Sequence, residues 1–381
     1  MKQITQLLLL LIVATMTSCI REEAPNAECD ILAVDITNLW FRNNKEILTS
    51  YSKIGNNEVF FIIKRDVKIN SIEISHDSII DAFLLTPGAR IEANDTVKKD
   101  NNGIYLSFTT HSEDGKWNKA YIVKFIKLPL LDKNHIFGFE NFESKNYATW
   151  YEINRDGIRS DIWASGNAGF SFTGKGKTPE DYPTVAAANG VSGQCIKLTT
   201  RDTGSFGNMA KMPIAAGNIF IGDFQSTNAM GKPLEATRFG LPIVPARPVS
   251  LRGFYKYTAG ETFTDKTKTP VSEKRDTCAI YSVLYEIDAD NFVSLDGQNV
   301  LSSDRIVLVA ELENPGEPAE WTGFSIPFRY ANGKTFDMEK LQNGEYAITV
   351  VASSSKNGAF FEGAVGSTLY IDELEIVWEN K

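Results

Sequence analysis

Ile104, Leu106 and Phe108 alternate with Tyr105 and Ser107, and this two-residue period, rather than the 3.6-residue period of an amphipathic helix, recurs along most of the chain. Strands patterned this way must bury one face against a second layer, so the chain is expected to be all-β. Helical patterning is scarce, and a short helical turn is expected only at Thr335 to Leu341. With 43% hydrophobic and 11% aromatic residues, the 381-residue chain has enough apolar material for packed cores. Single cores stop growing at about 250 to 300 residues, so two domains are expected.

Residues 30–128 carry short strands separated by turn signals. Val59 to Ile63 is a continuous β-rich run, Ile72 and Ile74 alternate with polar partners, and Tyr121 to Ile126 closes the set. Thr86-Pro87-Gly88-Ala89 supplies turn chemistry, because Pro presets φ and Gly tolerates a positive one. About a hundred residues spaced in this way read as an immunoglobulin-like β-sandwich. Residues 129–135 form a linker, since Pro129 cannot donate to a sheet ladder. Residues 136–381 read as one larger jelly-roll β-sandwich. Its strongest strands are Cys195 to Thr199, Val249 to Tyr257, Cys278 to Ile287, Arg305 to Leu312, Tyr346 to Ala352 and Thr368 to Trp378.

The beginning of the chain carries an address. Met1-Lys2-Gln3 is a short basic start, and Leu7 to Val13 is an apolar run too short for a membrane span, which needs about 20 residues. Residues 1–18 therefore read as an export signal. Met16-Thr17-Ser18-Cys19 stands where bacterial lipoproteins carry the Cys that is lipidated after cleavage, with Met16 in place of the usual Leu. The alternative is an ordinary secretory signal with a chance Cys. Lipidation of Cys19 would make residues 19–29 a tether and place the protein on the outer membrane, held through its N-terminal lipid alone. Three other cysteines, Cys29, Cys195 and Cys278, then allow one disulfide at most.

Several strings in the larger domain are familiar together. They are Phe137-Gly138-Phe139-Glu140-Asn141, Ala216 to Gly222, Gly253-Phe254-Tyr255-Lys256-Tyr257 and, most specific, Ser353-Ser354-Ser355 followed by Phe361 to Leu374. In these strings the chain resembles the putative carbohydrate metabolism domain (PCMD) family of Bacteroidetes lipoproteins, over roughly residues 136–381. The resemblance implies a jelly-roll domain, an outer-membrane setting and a role in glycan handling. It implies no reaction and no catalytic residues.

Sugar binding needs flat aromatic platforms, with amides and carboxylates for the hydroxyls. Trp150, Tyr151, Trp163 and Tyr182 fall in a stretch rich in Gly, Asn and Asp, and Trp321 follows the polar run Glu313 to Glu320. These five are the expected platforms, with Asp161 and Asn167 as hydroxyl partners. The alternative use of each ring is to close the sandwich core. Lys256 alternates with Tyr255 and Tyr257, so those rings either join the core with Lys256 outward or floor a groove.

Lectin-like jelly rolls often hold a structural Ca²⁺ between an acidic residue near the first strand and an Asp near the last. Glu140 and Asp372 occupy comparable places, the alternative being a turn ligand and a surface charge.

The formal charge of −9 and the lack of a dense basic stretch exclude nucleic acid as a partner. His76, His111 and His135 lie far from one another and from any paired cysteines, which leaves zinc and Cys/His nucleophile chemistry unsupported. The leading expectation is a cell-surface lipoprotein that binds polysaccharide or oligosaccharide, or assists glycan utilisation, in company with protein partners of that system. One alternative is a glycoside hydrolase, with Asp223, Glu286, Asp288 and Glu311 as eligible carboxylates. Another is an adhesion or structural component of a surface complex.

Overall fold

The structure is a computed structural model and describes residues 25–380, except 56, 65–66, 101–102, 128–129, 155–156, 158, 289–291 and 332 and the side chains of 49–53. The export signal, Cys19 and Pro129 lie outside the described residues. The chain is all-β, as its alternation requires, and divides after Lys127 into two compact units.

In the first unit five strands form a sheet in the order Leu48–Ile54, Glu58–Ile63, Asn118–Ile126, Gly103–His111 and Arg90–Lys99. Glu58–Ile63 and Asn118–Ile126 run parallel, and the other neighbours are antiparallel. The inward residues Val59, Phe61, Ile104, Leu106, Phe108, Val123 and Phe125 are all buried. Burial of each such side chain contributes about 1.5–3 kcal/mol.

The layer facing this sheet is a two-stranded ribbon, Ile31–Val34 with Phe83–Leu85, and short helices rather than a second full sheet. Local capping explains the difference. The Asn38 side chain accepts from the Trp40 amide and starts Leu39–Asn43, which buries Trp40 and Phe41. Ile72 and Ile74, expected in a strand, lie between a 3₁₀ turn at Ile69–Ser71 and the capped turn His76–Ile79, and Ile72 still reaches the core. The Thr86-Pro87-Gly88-Ala89 turn forms as its chemistry requires, with Gly88 at φ +80° and the Ala89 amide donating to the Thr86 carbonyl at 3.0 Å.

The second unit is a sandwich of two antiparallel sheets. The six-stranded sheet is ordered Thr184–Ala188, Gln194–Thr199, Thr368–Trp378, Pro248–Thr258 and Thr322–Pro327, with Ile136–Phe137 paired to Thr368–Trp378. The eight-stranded sheet is ordered Leu295–Asp296, Thr237–Phe239, Asn218–Phe224, Tyr346–Ser353, Ala279–Glu286, Ile306–Glu311 and Arg329–Tyr330, with Trp163–Ala164 beside Asn218–Phe224. Leu198, Leu251, Tyr257, Leu369 and Ile371 of the first pack with Ile219, Ile280, Leu284, Ile348 and Val350 of the second in one core.

The other face of the eight-stranded sheet is also covered, with Phe220, Tyr281, Val283, Tyr285 and Val351 in a separate apolar cluster. Two buried faces explain the nearly continuous apolar runs of Ala279–Glu286 and Tyr346–Ser353. The expected helical turn is Met338–Asn343, with Asp337 accepting from the amides of Glu339 and Lys340 and Gly344 at φ +74° ending it.

Among the described residues no helix is long and apolar enough to cross a membrane. Cys29, Cys195 and Cys278 are all buried free thiols.

Candidate functional site

The aromatic residues nominated from the sequence separate by environment. Trp150, Trp163 and Tyr182 keep only 3%, 6% and 4% of their surface exposed, so none offers a ring face to a ligand. Trp163 is wedged beside Phe137 and Phe139, and its indole nitrogen donates to Glu152 at 2.6 Å. Asn167 is fully buried and exchanges two hydrogen bonds with the Thr184 backbone, which makes it a core clamp rather than a hydroxyl ligand. Their Gly- and Asn-rich surroundings pointed to an open loop, but short strands and the helix Asn167–Ser171 fold these segments onto the sandwich. Tyr151 and Asp161 form a smaller surface group through Arg159, whose guanidinium lies 3.9 Å from the Tyr151 ring and donates to Asp161 at 2.7 and 2.8 Å.

Trp321, Glu140 and Asp372 are brought together around one hairpin. Residues 189–193 join Thr184–Ala188 to Gln194–Thr199, and the turn closes with the Gly190 amide donating to the Gly193 carbonyl at 3.0 Å. On one side the Trp321 indole donates to the Asn189 carbonyl at 3.2 Å. On the other, Asp372 accepts from the amides of Val191 and Ser192 at 2.7 and 3.3 Å, and Glu140 accepts from that of Gln194 at 3.0 and 3.2 Å. Only glycine fits the two contact points. A Cβ at Gly190 would stand 2.6 Å from an Asp372 carboxylate oxygen, and one at Gly193, where φ is +62°, 2.1 Å from Glu140.

From this hairpin a row of side chains crosses the outer face of the six-stranded sheet. Lys197, Tyr370 and Lys256 are cross-strand neighbours, and Trp321 stands just before the edge strand Thr322–Pro327. The Lys256 ammonium lies 4.6 Å from the Trp321 ring centroid and 4.9 Å from that of Tyr370, so the lysine spaces two aromatic rings and is drawn to both. Phe254 is 37% exposed two residues along the same strand. Tyr255 and Tyr257 point inward and are buried, which decides their use as core, with Lys256 outward. Tyr370 and Lys197 were missed, although the alternation of Leu369, Tyr370 and Ile371 already sets Tyr370 opposite to its apolar neighbours.

A bulge in Thr368–Trp378 puts Glu373 at φ +50° beside Asp372. Burial raises the pKa of Asp372, as does the Glu140 charge, while the three amides it accepts from oppose the rise. Glu373 is raised by burial and then by Asp372 and Glu140. These are the only carboxyl groups among the described residues held above the ordinary range. The neighbouring Cys195 thiol is pushed up to about 11, chiefly by burial.

The same carboxylates were the expected calcium ligands, and both are already engaged by backbone amides. Asp372 spends its oxygens on the amides of Val191, Ser192 and Glu373, and Glu140 spends both of its own on Gln194. Among the described residues no group of three or more acidic, His or Cys side chains is placed to hold a metal. Chelation with EDTA is therefore expected to leave the melting temperature unchanged, because only a ligand bound to the native state shifts it. A fall that Ca²⁺ reverses would assign a cation to the hairpin.

Of the carboxylates eligible for hydrolysis, Glu286 and Glu311 are held in ion pairs. Glu286 is pulled upward by burial but held below its usual range by Lys340 and Lys334, at 2.7 and 3.2 Å. Glu311 is paired with Lys356 at 2.8 Å.

A scan of family models matches residues 138–377 to the putative carbohydrate metabolism domain. A crystal structure described as a putative glycoside hydrolase from Bacteroides thetaiotaomicron is 40% identical, with 95% of this chain and 100% of that chain covered and a TM-score of 0.79. Another of that description, from Bacteroides vulgatus, is 42% identical over 64% of this chain and 98% of that one, with a TM-score of 0.59. No curated protein matches the chain.

Proposed function

Since the chain belongs to the putative carbohydrate metabolism domain family, we propose that it is a surface lipoprotein, lipidated at Cys19, whose C-terminal unit binds glycan without cleaving it. The binding surface is the outer face of the six-stranded sheet around Trp321, Lys256 and Tyr370. The observation that carries this reading is the pair of rings spaced by one lysine on a solvent-facing sheet. Two flat faces and an ammonium with free-rotating donors are the chemistry that stacks on a pyranose and binds its hydroxyls. The ion-paired states of Glu286 and Glu311 support binding over hydrolysis.

A broad glycan array probed with the soluble chain from Asp30 to Lys381 tests the proposal. Saturable signal on one glycan class is expected, with no new reducing ends after prolonged incubation. A blank array would favour a protein partner instead.

Hydrolysis is the second reading, and one observation favours it: the raised pKa values of Asp372 and Glu373 beside the aromatic row. On that reading Glu373 is the general acid, and reducing ends would appear with wild type and vanish with Glu373→Gln.

A further inference from the structure

The covered face of the eight-stranded sheet encloses a cavity of about 200 Å³ that the glycan-binding reading does not use. Its floor is Phe220, Val351 and Tyr281, and Phe170, Phe224 and Phe361 stand in its walls. Phe172, Phe206 and Met230 also line it while remaining exposed, so its mouth is apolar and open to solvent.

The polar side chains of the lining are, with one exception, already engaged. The hydroxyls of Thr173, Thr203, Thr237 and Ser353 donate to backbone carbonyls. Ser355 donates to Asp276, and Asn218 accepts from the Gly166 amide. Among the described lining residues Lys356 is the one cation and is paired with Glu311, and none is acidic. The exception is Tyr281. It is 7% exposed, lines the cavity, and its hydroxyl bonds to no described residue. A hydroxyl with no protein partner in a cavity lining is left able to bond to a bound molecule.

We infer that this cavity binds a single uncharged aromatic ring bearing one oxygen, a phenol or the phenolic end of a larger molecule, with the Tyr281 hydroxyl bonded to that oxygen. Size supports one ring, since an apolar cavity of about 150 Å³ accommodates benzene. The walls support an aromatic occupant, because phenylalanine rings meet another ring edge-on or offset. Charge neutrality follows from a lining without free ionic groups. A sugar is a poor fit, as its many hydroxyls would meet one available partner.

The test is calorimetric titration of the full chain with 4-methylphenol, toluene and 1-hexanol. Saturable binding of 4-methylphenol is expected, with toluene about three- to tenfold weaker for want of the hydrogen bond. Tyr281→Phe, which removes an oxygen that no described residue holds, should bring 4-methylphenol down to the toluene affinity. Ala279→Leu, in the cavity lining, should abolish binding of both rings. The inference is overturned if no probe binds the wild-type chain, if hexanol binds as tightly as 4-methylphenol, or if the phenol's advantage survives in Tyr281→Phe. The wild-type comparison of three probes decides the matter even if Ala279→Leu does not fold. A blank glycan array leaves this test untouched, since no sugar enters it.

Discussion

Asp276→Ala is expected to lower the unfolding free energy of the C-terminal unit by about 3–5 kcal/mol, because three buried donors lose their acceptor at about 1–3 kcal/mol each. Asp276 is 5% exposed, and a single carboxylate oxygen accepts from Ser355 and Ser367 hydroxyls at 2.6 and 2.7 Å and from the Ala364 amide at 2.7 Å. Ser355 continues to Thr200 at 2.6 Å, Thr200 to Ser354 at 2.8 Å, and Ser354 to the Gly217 amide at 3.0 Å. Tyr257 donates to the Ser354 carbonyl, and Ser367 accepts from the Gly260 amide. Alanine would strand three buried donors in a place no bulk water reaches. For a domain of this size the loss corresponds to a fall in melting temperature of about 10 °C, measurable by calorimetry. Asp276→Asn, which keeps one acceptor oxygen, should fall between wild type and alanine. A change below about 1 kcal/mol for alanine would remove the network from the account of stability.

Trp321→Ala is expected to weaken glycan binding at least tenfold while leaving the melting temperature close to wild type. The two outcomes separate because the ring is half-buried, stands before an edge strand, and among the described residues makes a hydrogen bond only to the exposed hairpin carbonyl of Asn189. Removing a platform of this kind typically costs about 2 kcal/mol or more of binding when it is a hot spot, and each 1.4 kcal/mol is about a factor of ten. Lys256→Ala should act in the same direction, since it removes the ammonium between the Trp321 and Tyr370 rings. Trp163→Ala serves as the contrast. Its ring lies in the core, so it should cost stability rather than affinity. Unchanged affinity in Trp321→Ala, on the glycan identified by the array, would move the site elsewhere on the unit.

Ser353-Ser354-Ser355 and the segment from Phe361 to Leu374, the strings that most specifically mark the family, fall largely on the Asp276 network and on Tyr370 and Asp372. Gly253 to Tyr257 supplies Lys256, and Phe137 to Asn141 supplies Glu140. Strings read separately along the chain thus describe two places in the fold: the clamp and the hairpin-edged sheet face.

Strand identity was legible from local pattern alone. Thr368–Trp378 has the expected limits, and Gln194–Thr199, Ala279–Glu286 and Ile306–Glu311 lie within a residue of theirs, because alternation and β-branched runs are properties of neighbouring residues. The capped turns of the first unit were less so, since Ile72 and Ile74 carry the same alternation in a loop as in a strand. Ring exposure was not legible at all. Trp150, Trp163 and Trp321 each sit near Gly, Asn or acidic residues, and what separates them is whether another segment covers them. Covering is a long-range property: Phe137, Phe139 and Glu152 close over Trp163, whereas among the described residues only the Asn189 carbonyl and Lys256 are bonded to or stacked on Trp321. By itself the sequence determined the all-β class, the strands and the facing of their residues, because those follow from a two-residue period. Only the tertiary structure decided which rings remain on the surface, which carboxylates meet at the hairpin, and that a cavity lies on the second sheet, because each depends on segments far apart in the chain packing together.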